Sequence, residues 1–174
     1  IMFCDIRGFT PFSEALAAYD VIFILNRYIS IMRDIIVKNG GQVNNYIGDA
    51  ILAIFGLKES RQQTMRAANA ALEMLKAMDE FKEYLSNAYG RDFDIRIGIH
   101  YGPCVFGNIG SELRTEFAVI GDPVNVASRI CDSCKEFDTN FIIPVKTKFN
   151  EMGATVDRIY EDINNTIDEY KQKF

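Results

Sequence analysis

The fold is decided by the stretch QVNNYIGDAILAIF, residues 42–55, which contains two strand-like runs with no helix between them. Gln42–Tyr46 and Ala50–Phe55 have the length of strands, and Gly48-Asp49 between them is typical of a hairpin turn. A hairpin at this point breaks the one-for-one alternation of strand and helix that a doubly wound parallel sheet requires. The stretch therefore predicts a mixed sheet in an α+β domain.

Helical patterns lie on both sides of this hairpin. Before it, apolar residues recur at intervals of three and four, which is the helical period, and Gly40-Gly41 ends the pattern as a helix C-terminus. The apolar positions of this first helix are Val21, Leu25, Tyr28, Met32 and Ile35 or Ile36. After the hairpin, a second long amphipathic helix is predicted from Met65, Ala68, Leu72, Leu75, Met78 and Leu85.

The two ends of the chain complete the order of elements. Ile1–Cys4 predicts a buried strand that leads into Asp5, and Thr10 and Pro11 predict a helix start as N-cap and first helical residue. The later elements are the strand Asp94–His100, the strand pieces Val105–Ile109 and Glu116–Ile120, a helix from Asp122-Pro123 to about Glu136, and the strand Phe141–Val145.

The order β, α, β-β, α, β predicts a ferredoxin-like βαββαβ core, in which helices flank a mixed sheet. The additional hairpin, helix and strand extend this core. A length of 174 residues fits one domain. Residues 145–174 are polar and weakly periodic, so no element is assigned to them.

The composition excludes several classes of protein. The net charge of −5 has the wrong sign for a protein that coats nucleic acid, so no nucleic-acid partner is expected. No apolar run approaches the roughly 18 residues of a membrane span. The four cysteines are too few for a disulfide framework, which favours a reduced, cytoplasmic compartment. Cys131 and Cys134 form a single CxxC pair and His100 is the only histidine, so a zinc site is poorly supported.

The chain begins within a predicted strand, which indicates a piece of a longer protein. We expect a regulatory or sensor domain upstream. The sequence leaves open whether the full-length protein is soluble or anchored to a membrane.

Two aspartates are candidates for metal binding. Asp5 follows a buried strand and precedes a helix start, where backbone N–H groups bind phosphate and a carboxylate recruits Mg²⁺. Asp49 lies in the hairpin turn. Taken singly, each is more often a structural residue of a strand end or turn. Because the first strand and the hairpin are neighbours in a ferredoxin-like sheet, we expect the two carboxylates to converge on paired ions suited to phosphoryl transfer.

Three further polar residues are candidates for substrate binding. Asn125 and Arg129 are four residues apart on a predicted helix and therefore share a face. Arg129 offers a forked donor set for phosphate, and Asn125 offers hydrogen bonds to a sugar. A solvated polar face is the alternative. Arg96 lies in an isoleucine-rich strand and faces either an anionic partner or solvent.

Four motifs resemble, in order and spacing, those of the class III adenylate and guanylate cyclases. They are FCDIRGFT (residues 3–10), YIGDA (46–50), RIGIHYG (96–102) and VIGDPVNVASR (119–129). The resemblance extends from Ile1 to about Pro144, and four motifs in register make it specific.

The resemblance implies a role for each matching residue. Asp5, Ile6 and Asp49 would hold two Mg²⁺ or Mn²⁺ ions, and Gly8, Phe9, Thr10 and Arg96 would bind the triphosphate. Asn125 and Arg129 would reach the same site from the other subunit of a homodimer. The implied reaction is attack of the ribose 3′-oxygen on the α-phosphorus with release of pyrophosphate, in intracellular signalling.

Two positions depart from the family's pattern for choosing the purine. Asn45 stands four residues before Asp49, where adenylate cyclases commonly carry lysine. Ala118 stands seven residues before Asn125, where they commonly carry aspartate, threonine or serine. Neither residue fits the guanylate pattern. Asn45 offers one donor and one acceptor, as adenine requires, so ATP is favoured and GTP is the alternative.

The same departures leave open a catalytically weak or inactive cyclase-like module that binds nucleotide and regulates a partner. The family's late phosphate-binding lysine has no obvious counterpart here, and Lys146 and Lys148 are the candidates.

Overall fold

The computed structural model describes residues 1–57, 62–111 and 114–143. Part of the predicted strand Phe141–Val145, the candidates Lys146 and Lys148 and the rest of the chain after Ile143 lie outside the described residues. Its elements are β1 (Met2–Arg7), α1 (Phe9–Ser13), α2 (Ala18–Lys38), β2 (Gly41–Ile47), β3 (Ala50–Phe55), α3 (Gln63–Tyr89), β4 (Asp94–Ile99), β5 (Val105–Ser111), β6 (Arg114–Ile120), α4 (Asp122–Ser133) and β7 (Phe141–Ile142).

The central sheet has the strand order β2-β3-β1-β4-β7. The first four strands of this order pair antiparallel, and β7 pairs parallel to β4. This is the order of a ferredoxin-like βαββαβ core with one added strand, so the predicted α+β fold is confirmed. The hairpin predicted from Gly48-Asp49 joins β2 to β3, and the amphipathic patterns form α2 and α3.

One face of the sheet carries the main hydrophobic core. Alternate residues of β1 enter this core, among them Met2, Cys4 and Ile6. The core contribution of α2 comes from fully buried residues one helical turn apart, namely Ile24, Tyr28, Met32 and Ile36. Burying a side chain of this size stabilises the fold by roughly 1.5–3 kcal/mol. The core thus fixes which residues of β1 face the opposite side, and Asp5 is one of them.

The opposite face of β4 is covered by α4. A Cβ atom added to Gly98 would lie 2.4 Å from both the Ala127 carbonyl oxygen and the Cys131 nitrogen, so the helix packs directly against the strand backbone. The Cys131 thiol donates to the Arg96 carbonyl oxygen over 3.3 Å. Ala127 and Cys131 are buried in this seam. Helix α4 is therefore mounted on β4 without an intervening side chain at Gly98.

The strands β5 and β6 form a separate two-stranded sheet. Large apolar side chains on this hairpin are exposed, among them Val105 (75%), Ile120 (57%) and Phe106 (52%). A two-stranded sheet is marginally stable by itself in water. These side chains offer apolar surface to another molecule.

The predicted helix starts are wrong by one or two residues. Gly8, not Thr10, is the N-cap of α1, because its φ of 76° suits glycine, and Pro11 lies within the first turn. The chain leaves α1 after five residues and α2 begins only at Ala18. In α4, the sequence suggests Asp122 as an N-cap acid, but Gly121 is the N-cap and Asp122 is the first helical residue.

The end predicted for α4 at Glu136 is also wrong, since the helix ends at Ser133 and continues as turns to Asp138. None of the described helices is long and apolar enough to cross a membrane.

Candidate active site

The two candidate metal carboxylates converge in the sheet. The strands β1 and β3 pair antiparallel, with Cys4 opposite Ile51, so the end of β1 lies beside the turn that begins β3. This pairing brings Asp5 next to Asp49, close enough for the charge of Asp5 to raise the pKa of the Asp49 carboxyl. The sequence could predict this neighbourhood because strand order and hairpin position determine it.

The electrostatics of Asp49 reflect this proximity. Burial raises the pKa of the Asp49 carboxyl above its ordinary value, and the charge and hydrogen bonding of Asp5 raise it further. Backbone N–H groups of Asp49 itself and of Ile6 oppose the shift by donating to the carboxylate. The like charges of Asp5 and Asp49 therefore repel each other where a cation would relieve the repulsion.

The donor set fits Mg²⁺ or Mn²⁺. Asp5, Asp49 and the backbone of Ile6 offer oxygen ligands, which hard divalent cations prefer. Among the described residues, no group of three or more histidine, cysteine, aspartate or glutamate side chains is arranged to hold a metal ion. A metal held here would therefore keep coordination positions for substrate oxygens or water.

Arg96 faces inward, toward an anionic partner. It pairs with Asp5 in the register of β4 with β1, and its Nη2 atom lies 2.5 Å from the Asp5 Oδ2 atom. The residue is 6% exposed. The sequence left two orientations of Arg96 open, and the structure has the inward one. Arg96, which is predicted to bind the triphosphate, here pairs with Asp5, a candidate metal ligand.

A second carboxylate near Arg96 was missed by sequence reasoning. Asp132 on α4 places its Oδ1 atom 4.0 Å from the Arg96 Nη1 atom. The available signal was an acid next to the buried Cys131, on the helix that packs against β4. That signal is weak in a sequence, because the seam between α4 and β4 becomes visible only with the tertiary structure.

Gly8, Phe9 and Thr10, which are predicted to bind the triphosphate, lie at the start of α1. The first hydrogen bond within this helix runs from the Phe12 nitrogen to the Gly8 carbonyl oxygen. By helix geometry, the N–H groups of Phe9 and Thr10 have no acceptor inside α1. They directly follow the strand that carries Asp5, so these donors are available to an anion beside the carboxylates.

Asn125 and Arg129 lie on the exposed face of α4. This face is turned away from the seam where Ala127 and Cys131 meet β4. Among the described residues, no hydrogen bond or ion pair joins Asn125 or Arg129 to Asp5 or Asp49.

The two purine positions lie on elements that contact each other. Asn45 is exposed on β2 and follows a β-bulge at Asn44, whose Nδ2 atom donates to the Asn45 Oδ1 atom over 2.9 Å. Ala118 is on β6, opposite Gly107, and β6 contacts β2. Because Asn44 already donates to the Asn45 oxygen, the Asn45 amide nitrogen is the group best placed to donate to a base.

The ferredoxin-like fold and the adjacent carboxylates of Asp5 and Asp49 agree with the resemblance to the nucleotidyl cyclases. The family described as "Adenylate and Guanylate cyclase catalytic domain" matches residues 1–141. The chain therefore belongs to the adenylate and guanylate cyclase catalytic domain family.

Named relatives include cyclases of both purine types. An adenylate cyclase of Anabaena cylindrica is 40% identical over 82% of this chain, which spans 28% of that protein. The adenylyl cyclase CyaB of P. aeruginosa superposes with a TM-score of 0.71 at 32% identity, covering 76% of this chain and 69% of that one. The guanylyl cyclase Cya2 superposes with a TM-score of 0.71 at 38% identity, covering 75% and 67%. The chain thus spans little more than a quarter of the curated relative.

Proposed function

We propose that this domain is a purine nucleotide cyclase that converts ATP to 3′,5′-cyclic AMP and pyrophosphate at the interface of a homodimer. The observation that carries the proposal is the convergence of the Asp5 and Asp49 carboxyl groups, with the raised pKa of Asp49. Arg96 contacts the Asp5 carboxylate, but the adjacent carboxylates of Asp5 and Asp49 still repel each other, and a divalent cation would stabilise both.

The reaction forms a bond between the ribose 3′-oxygen and the α-phosphorus and breaks the bond from that phosphorus to the oxygen of the leaving pyrophosphate. Divalent ions held by Asp5, Asp49 and the Ile6 backbone would neutralise the triphosphate and lower the pKa of the 3′-hydroxyl. Arg96 and the backbone of residues 8–10 would bind the triphosphate oxygens. Arg129 would stabilise the charge that develops on the α-phosphoryl group, and such a donor contributes on the order of 10²- to 10³-fold in rate.

A homodimer accounts for the separation of the two half-sites. Asn125 and Arg129 are exposed on α4, whereas Asp5 lies on β1 and Asp49 in the turn between β2 and β3. In a head-to-tail dimer, the α4 face of one chain covers the carboxylates of the other and two equivalent sites form. The exposed apolar side chains of the β5–β6 hairpin supply surface for such an interface.

The purine is the open part of the proposal. The Asn45 amide can donate to adenine N1 or to guanine O6, and Ala118 offers the base no side-chain hydrogen bond. The second candidate function is therefore a guanylate cyclase, or a cyclase that accepts both ATP and GTP. It is favoured because the adenylyl and guanylyl cyclase structures superpose on this chain with the same TM-score of 0.71. The third candidate is a regulatory module without catalysis, because Asn45 and Ala118 both depart from the family's pattern at positions that recognise the base.

We further propose that the domain works in the cytoplasm under an upstream regulatory domain. The regulatory domain is supported by similarity to a bacterial light-regulated adenylyl cyclase, since the match covers 80% of this chain and only 41% of that one, with a TM-score of 0.73 at 29% identity.

The test is product analysis of the purified chain with ATP and GTP supplied separately, each with Mg²⁺ and with Mn²⁺. We expect cyclic AMP from ATP and a loss of at least about 100-fold in Asp49→Asn. Asp34→Asn is the matched control, because Asp34 is an exposed acid that pairs with Arg33 on α2. Absence of cyclic nucleotide from both substrates with both metals would refute the enzyme and leave the regulatory module.

A further inference from the structure

The guanidinium of Arg96 is buried and only partly satisfied. Its Nη2 atom is bound to Asp5, whereas its Nε and Nη1 atoms are buried without a hydrogen-bond partner. An unpaired buried donor costs free energy, so the guanidinium gains from any acceptor that reaches it. The one-sided pairing also commits the charge of Arg96 to Asp5.

Asp132 is the acceptor within reach. Its Oδ1 atom lies 4.0 Å from the Arg96 Nη1 atom, which is an ion-pair distance but longer than a hydrogen bond. The backbone beside it is held, because the preceding residue, Cys131, packs against Gly98 and its thiol donates to the Arg96 carbonyl oxygen. The Asp132 side chain is 70% exposed, so it can rotate toward Nη1 while α4 stays in place.

We infer that Asp132 is a positioning residue that shares Arg96 with Asp5 and thereby makes Asp5 available to a divalent cation. The inference rests on the proposed function, in which Asp5 holds metal. While Arg96 binds Asp5, it occupies one carboxylate oxygen and repels a second cation. A carboxylate on the other side of the guanidinium draws that charge away, so Asp132 acts on the metal through Arg96 and not by contact.

Mn²⁺ binding to the nucleotide-free protein tests this, measured by the loss of the free-ion electron paramagnetic resonance signal. Asp132→Asn should weaken Mn²⁺ binding about three- to fivefold, the range of a partly exposed ion pair. Asp132→Glu should restore it. The control Asp34→Asn removes an equally exposed acid that also pairs with an arginine, and it should leave Mn²⁺ affinity unchanged.

A double-mutant cycle separates action through Arg96 from the long-range field of a lost charge. Arg96→Gln frees Asp5, so it should tighten Mn²⁺ binding. In that background, Asp132→Asn should have no further effect. An equal weakening with and without Arg96 would mean that Asp132 attracts the ion directly, and the inference would be wrong.

A readout without metal distinguishes failure of the inference from failure of the proposed function. The guanidinium ¹⁵N–¹H signals of Arg96, recorded without metal or nucleotide, should shift in Asp132→Asn and not in Asp34→Asn. Unshifted Arg96 signals refute the inference whatever the metal does. A shift in a protein that binds no Mn²⁺ refutes the metal assignment of Asp5 and upholds the contact between Arg96 and Asp132.

Discussion

Gly98→Ala should displace the helix that carries Asn125 and Arg129. The new Cβ atom would lie 2.4 Å from the Ala127 oxygen and the Cys131 nitrogen, and ordinary contact begins near 3.4 Å. The obstructing atoms are backbone, so no side chain can rotate away, and α4 must retreat by about 1 Å. Overpacking of this kind costs about 1–3 kcal/mol, which corresponds to a fall in Tm of roughly 3–10 °C.

The loss of activity should exceed the loss of stability. At a temperature where the variant is fully folded, a 1 Å displacement of Asn125 and Arg129 is expected to lower kcat on the order of 10- to 100-fold. Circular dichroism gives Tm, and cyclic nucleotide formation at 20 °C gives kcat.

Ser30→Ala on α2 is the control, because Ser30 is exposed and lies outside both the site and the proposed interface, and it should match the wild type in both measurements. A Gly98→Ala variant with wild-type Tm, or one with lowered Tm and unchanged kcat, would refute the reasoning that α4 is mounted on the β4 backbone.

Three other predictions follow from the contacts of the site and core. In metal-free protein, the raised pKa of Asp49 lowers the free energy of unfolding of the wild type as pH rises from the ordinary carboxyl pKa to the raised folded value. Asp49→Asn should therefore gain stability relative to the wild type over that pH window. Thermal unfolding in EDTA between pH 4 and 7 checks this, and a stability difference independent of pH would contradict it. Burial raises the pKa of the Cys4 thiol to about 12 and raises the pKa values of Cys131 and Cys104, but only Cys104 of these three is partly exposed. Cys104 should therefore react with iodoacetamide at pH 8 before either of the others, as peptide mass spectrometry would reveal, and equal labelling would contradict the burial. The double variant Asn45→Lys with Ala118→Thr should raise the ratio of ATP to GTP turnover about tenfold or more, since each good base contact contributes roughly 1–3 kcal/mol; an unchanged ratio would place the base elsewhere.

The sequence predicts the fold largely because strand order follows from local signals. The hairpin at Gly48-Asp49 and the two amphipathic helices leave few ways to build one sheet, and β1 must then neighbour β3. This adjacency is what brings Asp5 to Asp49, so the central pair of the site was within reach of sequence reasoning.

Other features depend on tertiary packing and had no reliable local signal. The orientation of Arg96 was left undecided because β4 alternates isoleucine with Asp94, Arg96 and Gly98, as a strand with one face in solvent does, whereas the structure buries both of its faces. Asp132 lies near Arg96 only because α4 packs closely against β4 at Gly98. Gly8 is the N-cap of α1 instead of Thr10 because the turn after β1 requires a positive φ. The usual preference for a hydroxyl side chain at the N-cap does not reveal this requirement.

The pairing of β1 with β4 also bears on how the chain reaches its native state. Asp5 and Arg96 are 91 residues apart, and β1 lies at the centre of the sheet between β3 and β4. Closing so long a loop lowers chain entropy before the contact contributes any stabilisation, so we expect this strand pair to form late. During synthesis, β1 is made first but waits for β4 before both its edges are paired. Asp5, which we propose holds metal, and Arg96 are therefore brought together by the same event that closes the sheet, so the proposed site forms only when folding is complete.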